Sequence, residues 1–255
     1  MSPRRALVTG ASSGLGREMA RQLAARGFRV AVTGRREREL AETARLVEAA
    51  GAECLALVGS VSEPEAVAGQ AGRVRDRFGG LDLMILNAGI ARGVDARHLS
   101  AECYHEVFAT NVGGAVNWLG AVLPWMIEAG SGTVAGISSL AAWRGLPGAG
   151  AYSASKAALA TLLESTRVDL RGTGIRVVTV FPGFIRNRGV ASEGDRGKLF
   201  VLELEDGTRR ILDGIESGRA VVHFPWPLSL PMRHFVRHLP APAYDWLMSR
   251  LNRRG

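Results

Sequence analysis

Short apolar, β-branched runs recur along the chain at 6–9 (ALVT), 28–33 (FRVAVT), 53–58 (ECLALV), 81–86 (LDLMIL), 132–138 (GTVAGIS), 175–181 (IRVVTVF) and 220–224 (AVVHF). Each has the length of a strand, and most are apolar at both alternating sets of positions, as strands covered on both faces are. Between them, stretches such as REMARQLAARG and RRERELAETARLVEAAG carry apolar residues at helical spacing and end on a glycine where a helix should stop. This alternation predicts an α/β fold: a doubly wound parallel sheet of about seven strands with helices on both faces and right-handed crossovers. Ligands of such sheets bind beyond the carboxyl ends of the strands.

With 255 residues, 47% of them hydrophobic, the chain has material for one large core, so one domain is expected over 1–224, with the remainder, 225–255, as an extension of different character packed on it or at an interface. The formal net charge of +8 comes from scattered arginines. No aromatic-interleaved basic run accompanies them, which argues for solubility rather than nucleic-acid binding. Cys54 and Cys103 have no short spacing between them, so neither a disulfide framework nor a thiolate metal site is expected, in keeping with a reducing cytoplasm. Met1 is followed by SPRRALVTG, too short an apolar run for a secretory signal. Val107 to Ile127 is uncharged and long enough to cross a bilayer, yet it holds Asn111, Asn117, several glycines and Pro124. A helix buried between the sheet and a neighbouring subunit accounts for it better.

Directly after the first predicted strand comes TGASSGLGRE, with Gly10, Gly14 and Gly16 leading into a helix. A strand, a glycine turn and a helix start gather backbone N–H groups around a phosphate, and the absence of side chains lets a pyrophosphate approach. The spacing is G-x-x-x-G-x-G rather than the general dinucleotide fingerprint.

TGASSGLG, the NAG at Asn87, Ala88 and Gly89, Asn111, the serines at Ser138 and Ser139, YSASK from Tyr152 to Lys156, and Pro182–Gly183 together resemble the short-chain dehydrogenase/reductase family, over residues 5 to 190. The resemblance implies a Rossmann-like sheet and a nicotinamide dinucleotide held by Gly10, Ser12, Ser13, Gly14, Leu15, Gly16, Asn87, Ala88, Gly89, Tyr152, Lys156, Pro182, Gly183 and Ile185. At the end of the second strand an acid would hold the adenosine ribose and repel a 2'-phosphate, but Gly34 stands there with Arg35 and Arg36 after it. A guanidinium grips phosphate through paired N–H bonds, so NADP(H) is expected in preference to NAD(H), with Arg35 as main ligand and Arg36 or Arg17 as helpers. Ser60 takes the place where relatives carry an acid toward the adenine.

Tyr152 and Lys156 share one helix face, four positions apart. A phenol titrates near 10, and lowering it to about 7 takes on the order of 4 kcal/mol. One ammonium at about 4 Å in an effective dielectric near 20 supplies a similar amount, and the ring charge of an oxidised nicotinamide adds to it. The resemblance makes Tyr152 the general acid/base, Ser139 the donor that orients a carbonyl (Ser138 if the register slips), Lys156 also the holder of the nicotinamide ribose, and Asn111 the organiser of a proton relay through water. The expected activity is NADPH-dependent carbonyl reduction or its reverse on a ketone, aldehyde or secondary alcohol, in a homodimer or homotetramer. Three rivals stand beside it: a dinucleotide-binding sensor with little turnover, acyl transfer through the S-x-x-K of Ser153, and a metal site at His234 and His238. The last two lack their companion motifs.

Substrate contacts are expected from the loops GIARGVDARHL, LAAWRGLPGAG and PGFIRNRGVASEGDRGKLF, with Trp143, Phe184 and Ile185 as apolar surface, Arg144, Arg186 and Arg188 toward an anionic group, and Asn187 toward the carboxamide. The extension from Pro225 departs from the family's common glycine-rich ending. It holds five arginines and one acid beside Trp226, Phe235, Trp246 and Leu247. Such a stretch suits a lid, an oligomer interface or contact with an anionic membrane surface. A hydrophobic ketone or aldehyde is the preferred substrate on the strength of this tail and Trp143.

Overall fold

A computed structural model describes residues 3–93, 95–186 and 200–252. The chain runs β1 (Arg4–Thr9), α1 (Gly14–Ala25), β2 (Phe28–Gly34), α2 (Glu37–Ala49), β3 (Cys54–Val58), α3 (Pro64–Phe78), β4 (Leu83–Leu86), α4 (Ala101–Phe108), α5 (Gly114–Ala129), β5 (Gly132–Ile137), α6 (Gly150–Asp169) and β6 (Ile175–Pro182). It continues through β7 (Ile185–Arg186), β8 (Leu202–Glu203), α7 (Leu204–Glu216), β9 (Val221–Phe224), α8 (Trp226–His234) and α9 (Ala241–Asn252). All seven expected strands form one parallel sheet in the order β3-β2-β1-β4-β5-β6-β9. The two-residue strands β7 and β8, which no apolar run announces, pair separately.

The period-two register divides each strand between two cores. Ala6, Val8, Val30, Val32, Leu83, Ile85, Val178 and Val180 face the layer made by α1, α2 and α7, whereas Leu7, Ala31, Met84, Leu86, Val134 and Val177 face α3, α5 and α6. This is why the strands read as continuous apolar runs. The order reverses between β1, which pairs with β2 on one side, and β4 on the other. A crevice therefore opens at the carboxyl ends of those two strands.

The uncharged segment 107–127 does not form one helix. It ends α4, passes through a π-helical turn at Ala109–Gly113 and enters α5, which buries Trp118, Leu119, Val122 and Met126 while leaving Val116 and Ile127 exposed. Among the described residues no helix is long and apolar enough to cross a membrane. The carboxyl-terminal extension folds back over the loop after β5. The Arg144 guanidinium donates to the carbonyls of Arg237 (3.1 Å) and Leu239 (3.0 Å) and lies 4.1 Å from the Tyr244 ring centre, while the Tyr244 hydroxyl donates to the Gly145 carbonyl at 2.6 Å.

Candidate active site

A cavity of about 1200 Å³ lies along the carboxyl ends of the strands. It runs from the glycine turn after β1 to the inner sides of α8 and α9, and its walls include the cofactor-binding residues expected from the sequence except Arg17 and Asn187, the latter outside the described residues. At its nucleotide end the backbone approaches itself so closely that side chains are excluded. Gly10 has φ +67°, and a Cβ there would come within 2.7 Å of Ala88 Cα; a Cβ on Gly16 would strike the Gly10 carbonyl and the Asn87 amide. Thr9 and Asn87 latch the two strand ends together. The backbone N–H groups of Asn87 and Ala88 both donate to Thr9 Oγ1 at 3.0 Å, and Asn87 Nδ2 donates to the Thr9 carbonyl at 2.9 Å. The Asn87 amide nitrogen is thus spent on the crevice itself.

Two features fit a dinucleotide phosphate. Ser12 Oγ is buried in the turn with no hydrogen-bond partner among the described residues, and Ser13 stands at the N-cap of α1 without capping it. An orphaned buried hydroxyl is costly unless a ligand completes it. At the end of β2, a Cβ on Gly34 would meet Ser12 Oγ, so a side chain there would have to turn that hydroxyl aside. Arg35 lines the cavity and hydrogen-bonds to no described residue. Arg36 donates to Ser13 Oγ at 2.7 Å and pairs with Glu39 at 3.5 Å. Arg17, expected as a helper, is committed elsewhere: its guanidinium bonds Thr43 Oγ1, the carbonyls of Ser12 and Glu39, and Glu42, bracing the turn against α2. Ser60 lines the cavity with its hydroxyl 2.8 Å from that of Ser62.

Three elements bring the chemical groups together. Tyr152 and Lys156 come from α6, Ser139 from the end of β5, and Asn111 from the π-helical turn. Ser139 Oγ, which accepts the Ala141 N–H at 3.1 Å, lies beside the Tyr152 phenol and favours its anion, whereas Ser138 is buried and its hydroxyl donates to the Lys156 carbonyl at 2.8 Å. Ser139 is therefore the serine that faces the phenol. Lys156 Nζ is buried, donates to the Ile137 carbonyl at 2.7 Å and lies 5.8 Å from the centre of the Tyr152 ring. Asn111 is buried behind the cavity wall: its amide nitrogen donates to the Ile90 carbonyl (3.0 Å) and to Ser155 Oγ (2.9 Å), and its Oδ1 accepts from Ile90 N–H (2.8 Å). It ties the loop after β4 to α6 with both N–H groups of its amide. Asn111 Oδ1 and Lys156 Nζ both lie 3.2 Å from where a Cβ on Gly89 would sit, so a side chain at that glycine would crowd both.

The electrostatics correct one expectation. Burial raises the Tyr152 phenol above its ordinary value, and the hydrogen bond from Ser139 opposes this. Burial also pulls the Lys156 ammonium down to about 8. Without dinucleotide, then, Lys156 does not make the phenol acidic; desolvation disfavours the charged form of both groups, and one of the three ammonium N–H groups is taken by a carbonyl.

The substrate end differs more from the sequence reading. Trp143 does not line the cavity. It packs on Phe181 and His223, with ring centres 5.2 and 5.8 Å away. Arg144 is the clamp on the extension described above, and Arg186 pairs with Glu203. Asn187 and Arg188 lie outside the described residues. The apolar wall is built by Leu140, Leu146, Phe184 and Ile185 together with Leu228, Met232, Val236, Leu247 and Met248 of the extension. Only Leu247 of these last five was singled out by the sequence. The i, i+4 spacing of Leu228 and Met232 was the available signal. Ser153 is buried and accepts the Leu146 N–H at 3.3 Å, away from the cavity. His234 and His238 belong to no cluster of metal-binding side chains among the described residues. Cys54 and Cys103 are free thiols, and burial pushes that of Cys54 up to about 12.

A doubly wound sheet whose switch-point crevice holds a phosphate-sized glycine turn at one end and a tyrosine beside a serine and a buried lysine at the other defines a nicotinamide-dependent oxidoreductase. The comparisons agree. The family model for short chain dehydrogenases matches residues 4–196, and the chain belongs to that family. It is 43% identical over 251 residues, 98% of each chain, to an uncharacterized oxidoreductase of Myxococcus xanthus. It is 36% identical over 181 residues to a 3-oxoacyl-(acyl-carrier-protein) reductase of Staphylococcus aureus, covering 71% of this chain and 74% of that one. Among solved structures, levodione reductase superposes with a TM-score of 0.82 at 26% identity, covering 89% of this chain and 98% of the other. A short chain dehydrogenase/reductase of Burkholderia phymatum in complex with NAD gives 0.82 at 26% identity, covering 91% and 92%. The protein is thus an oxidoreductase of the short-chain type, an enzyme acting between C–OH and C=O groups with a nicotinamide dinucleotide.

Proposed function

We propose that the chain is a cytoplasmic NADP(H)-dependent carbonyl reductase, working as a homodimer or homotetramer, in which residues 1–224 hold cofactor and catalytic groups and 225–255 close the substrate end. The observation that carries this reading is the placing of Ser139, Tyr152 and the buried Lys156 together on the cavity wall.

A reduced dinucleotide held by the glycine turn, Arg35 and Lys156 would supply a hydride to a carbonyl carbon. Ser139 and Tyr152 donate hydrogen bonds to the carbonyl oxygen, and the Tyr152 proton passes to it as negative charge develops there. The product is an alcohol, and Tyr152 is left as phenolate. Lys156, protonated and a helical turn away, stabilises that phenolate. Asn111 acts by position, fixing the loop at Ile90 against α6. Preference for NADP(H) is supported by Gly34 and Arg35: no ribose-binding acid stands at the end of β2, and the Arg35 guanidinium, which hydrogen-bonds to no described residue, lines the cavity next to it.

The test is the disappearance of reduced-nicotinamide absorbance with NADPH and a chemically diverse panel of ketones and aldehydes. Turnover of at least one carbonyl is expected. Tyr152→Phe should lower kcat by about 10²–10⁴-fold and leave NADPH affinity within about twofold. Tight NADPH binding with no turnover of any carbonyl would instead mark a dinucleotide sensor.

A further inference from the structure

The carboxyl-terminal helices have two apolar faces, and the active site uses one of them. α8 turns Leu228 and Met232 into the cavity and buries Ser229, bonded to His223 Nδ1 at 2.9 Å, against the sheet edge. Its opposite side presents Trp226 and Leu230 to solvent, 63% and 44% exposed. α9 likewise sends Leu247 and Met248 inward and leaves Trp246 57% exposed, while Phe235, between the helices, is 72% exposed. Scattered exposed apolar residues are ordinary; a tryptophan on each helix with a phenylalanine between them is not scatter. The charge around them is mostly positive, Asp245 being the one acid. Arg233, Arg237 and Arg250 form no ion pair among the described residues, Arg250 stacks 4.3 Å over Trp246, and 225–255 carries five arginines against one acid.

A second exposed apolar set, Phe108, Val116, Ile127 and Val168 on α4, α5 and α6, contrasts with this. Its neighbouring charges are balanced, Arg92 with Glu106 and Arg75 with Glu128, and suit another protein surface. At the tail, a two-fold contact with another copy would set arginines against arginines.

We infer that the outer face of α8 and α9 docks on an anionic phospholipid bilayer, with Trp226, Leu230, Phe235 and Trp246 entering the interfacial layer and the arginines meeting lipid phosphates. The inner faces of the same helices wall the apolar end of the cavity, so the bilayer and the substrate site lie one helix layer apart. Resting on the reductase reading, this makes the substrate an apolar carbonyl compound that partitions into lipid.

The test is pelleting of the full chain with phosphatidylcholine vesicles with and without phosphatidylglycerol, read without substrate so that its outcome is separate from that of the turnover assay. Binding to the anionic vesicles, release by high salt, and quenching of tryptophan fluorescence by bromine-labelled acyl chains are expected. Removing Arg233 or Arg237 should weaken partition about fivefold each, and the triple change Trp226→Ser, Phe235→Ser, Trp246→Ser about tenfold or more, with turnover of a water-soluble carbonyl unchanged. A wild-type chain that stays in the supernatant overturns the inference. So does a triple variant that pellets as well as wild type, or a wild-type assembly that ignores vesicles and falls to smaller oligomers in the triple variant.

Discussion

The two ends of the cavity are built on different principles. Around Gly10 and Gly16 the ligand surface is backbone: two strand ends latched through Thr9 and Asn87, with no room for side chains. Under α8 and α9 it is side chain: methionines and leucines from helices that the rest of the domain holds through Arg144 and Tyr244. A backbone cradle recognises what every dinucleotide shares, whereas a roof of flexible Met and Leu side chains adapts to an apolar shape. The difference implies that changes at the first end alter cofactor use and changes at the second alter substrate choice, with little crossover.

The sharpest way to break that division is Arg35→Ala. Losing a charge-assisted contact should raise KM for NADPH about 10- to 100-fold and leave KM for NADH and for the carbonyl nearly unchanged. An equal effect on both cofactors would remove Arg35 from the 2'-phosphate. At the other end, Met232→Ala with Met248→Ala should raise KM for a long apolar carbonyl about 3- to 10-fold, with KM for NADPH and turnover of a short carbonyl preserved; steady-state kinetics on a chain-length series reads this.

The smallest effect concerns Lys156, which sits between the two ends. It holds its proton less firmly folded, at about 8, than unfolded, at 10.5. Between those values the unfolded chain binds more protons, so the stability of the dinucleotide-free protein rises with pH, by about 1–2 kcal/mol from roughly pH 8 to 9.5 on account of this group. Urea unfolding should show that rise in wild type and its loss in Lys156→Met.

The same contrast explains what was legible in the chain. Strands buried on both faces read as apolar runs, so the seven-stranded sheet could be traced from composition alone, and a backbone cradle needs glycines at set spacing, so Gly10, Gly14 and Gly16 announced it. Side-chain surfaces announce less. Trp143 read as substrate surface because an aromatic in a cleft loop has that value, but its ring is claimed by Phe181 and His223. Arg17 and Arg144 read as free cations, and each is consumed by carbonyls that no spacing predicts. The acidity of Tyr152 was argued from the Lys156 charge with that of an oxidised nicotinamide added, whereas burial, which acts on both side chains, opposes it in the dinucleotide-free protein. Which face of the extension turns inward was undecided until packing on Gly145 and the Arg144 side chain set it.

The central claim is that a phenol disfavoured as an anion in the free protein becomes the proton donor only in the assembled site. Ultraviolet difference titration of Tyr152, with Tyr152→Phe as the reference, reads this directly in the free protein and with saturating NADP in its oxidised form. The expected result is a phenol titrating above the ordinary tyrosine range when free and shifted down into the neutral range when the dinucleotide is bound. A Tyr152 that titrates at the same pH in both states would contradict the account.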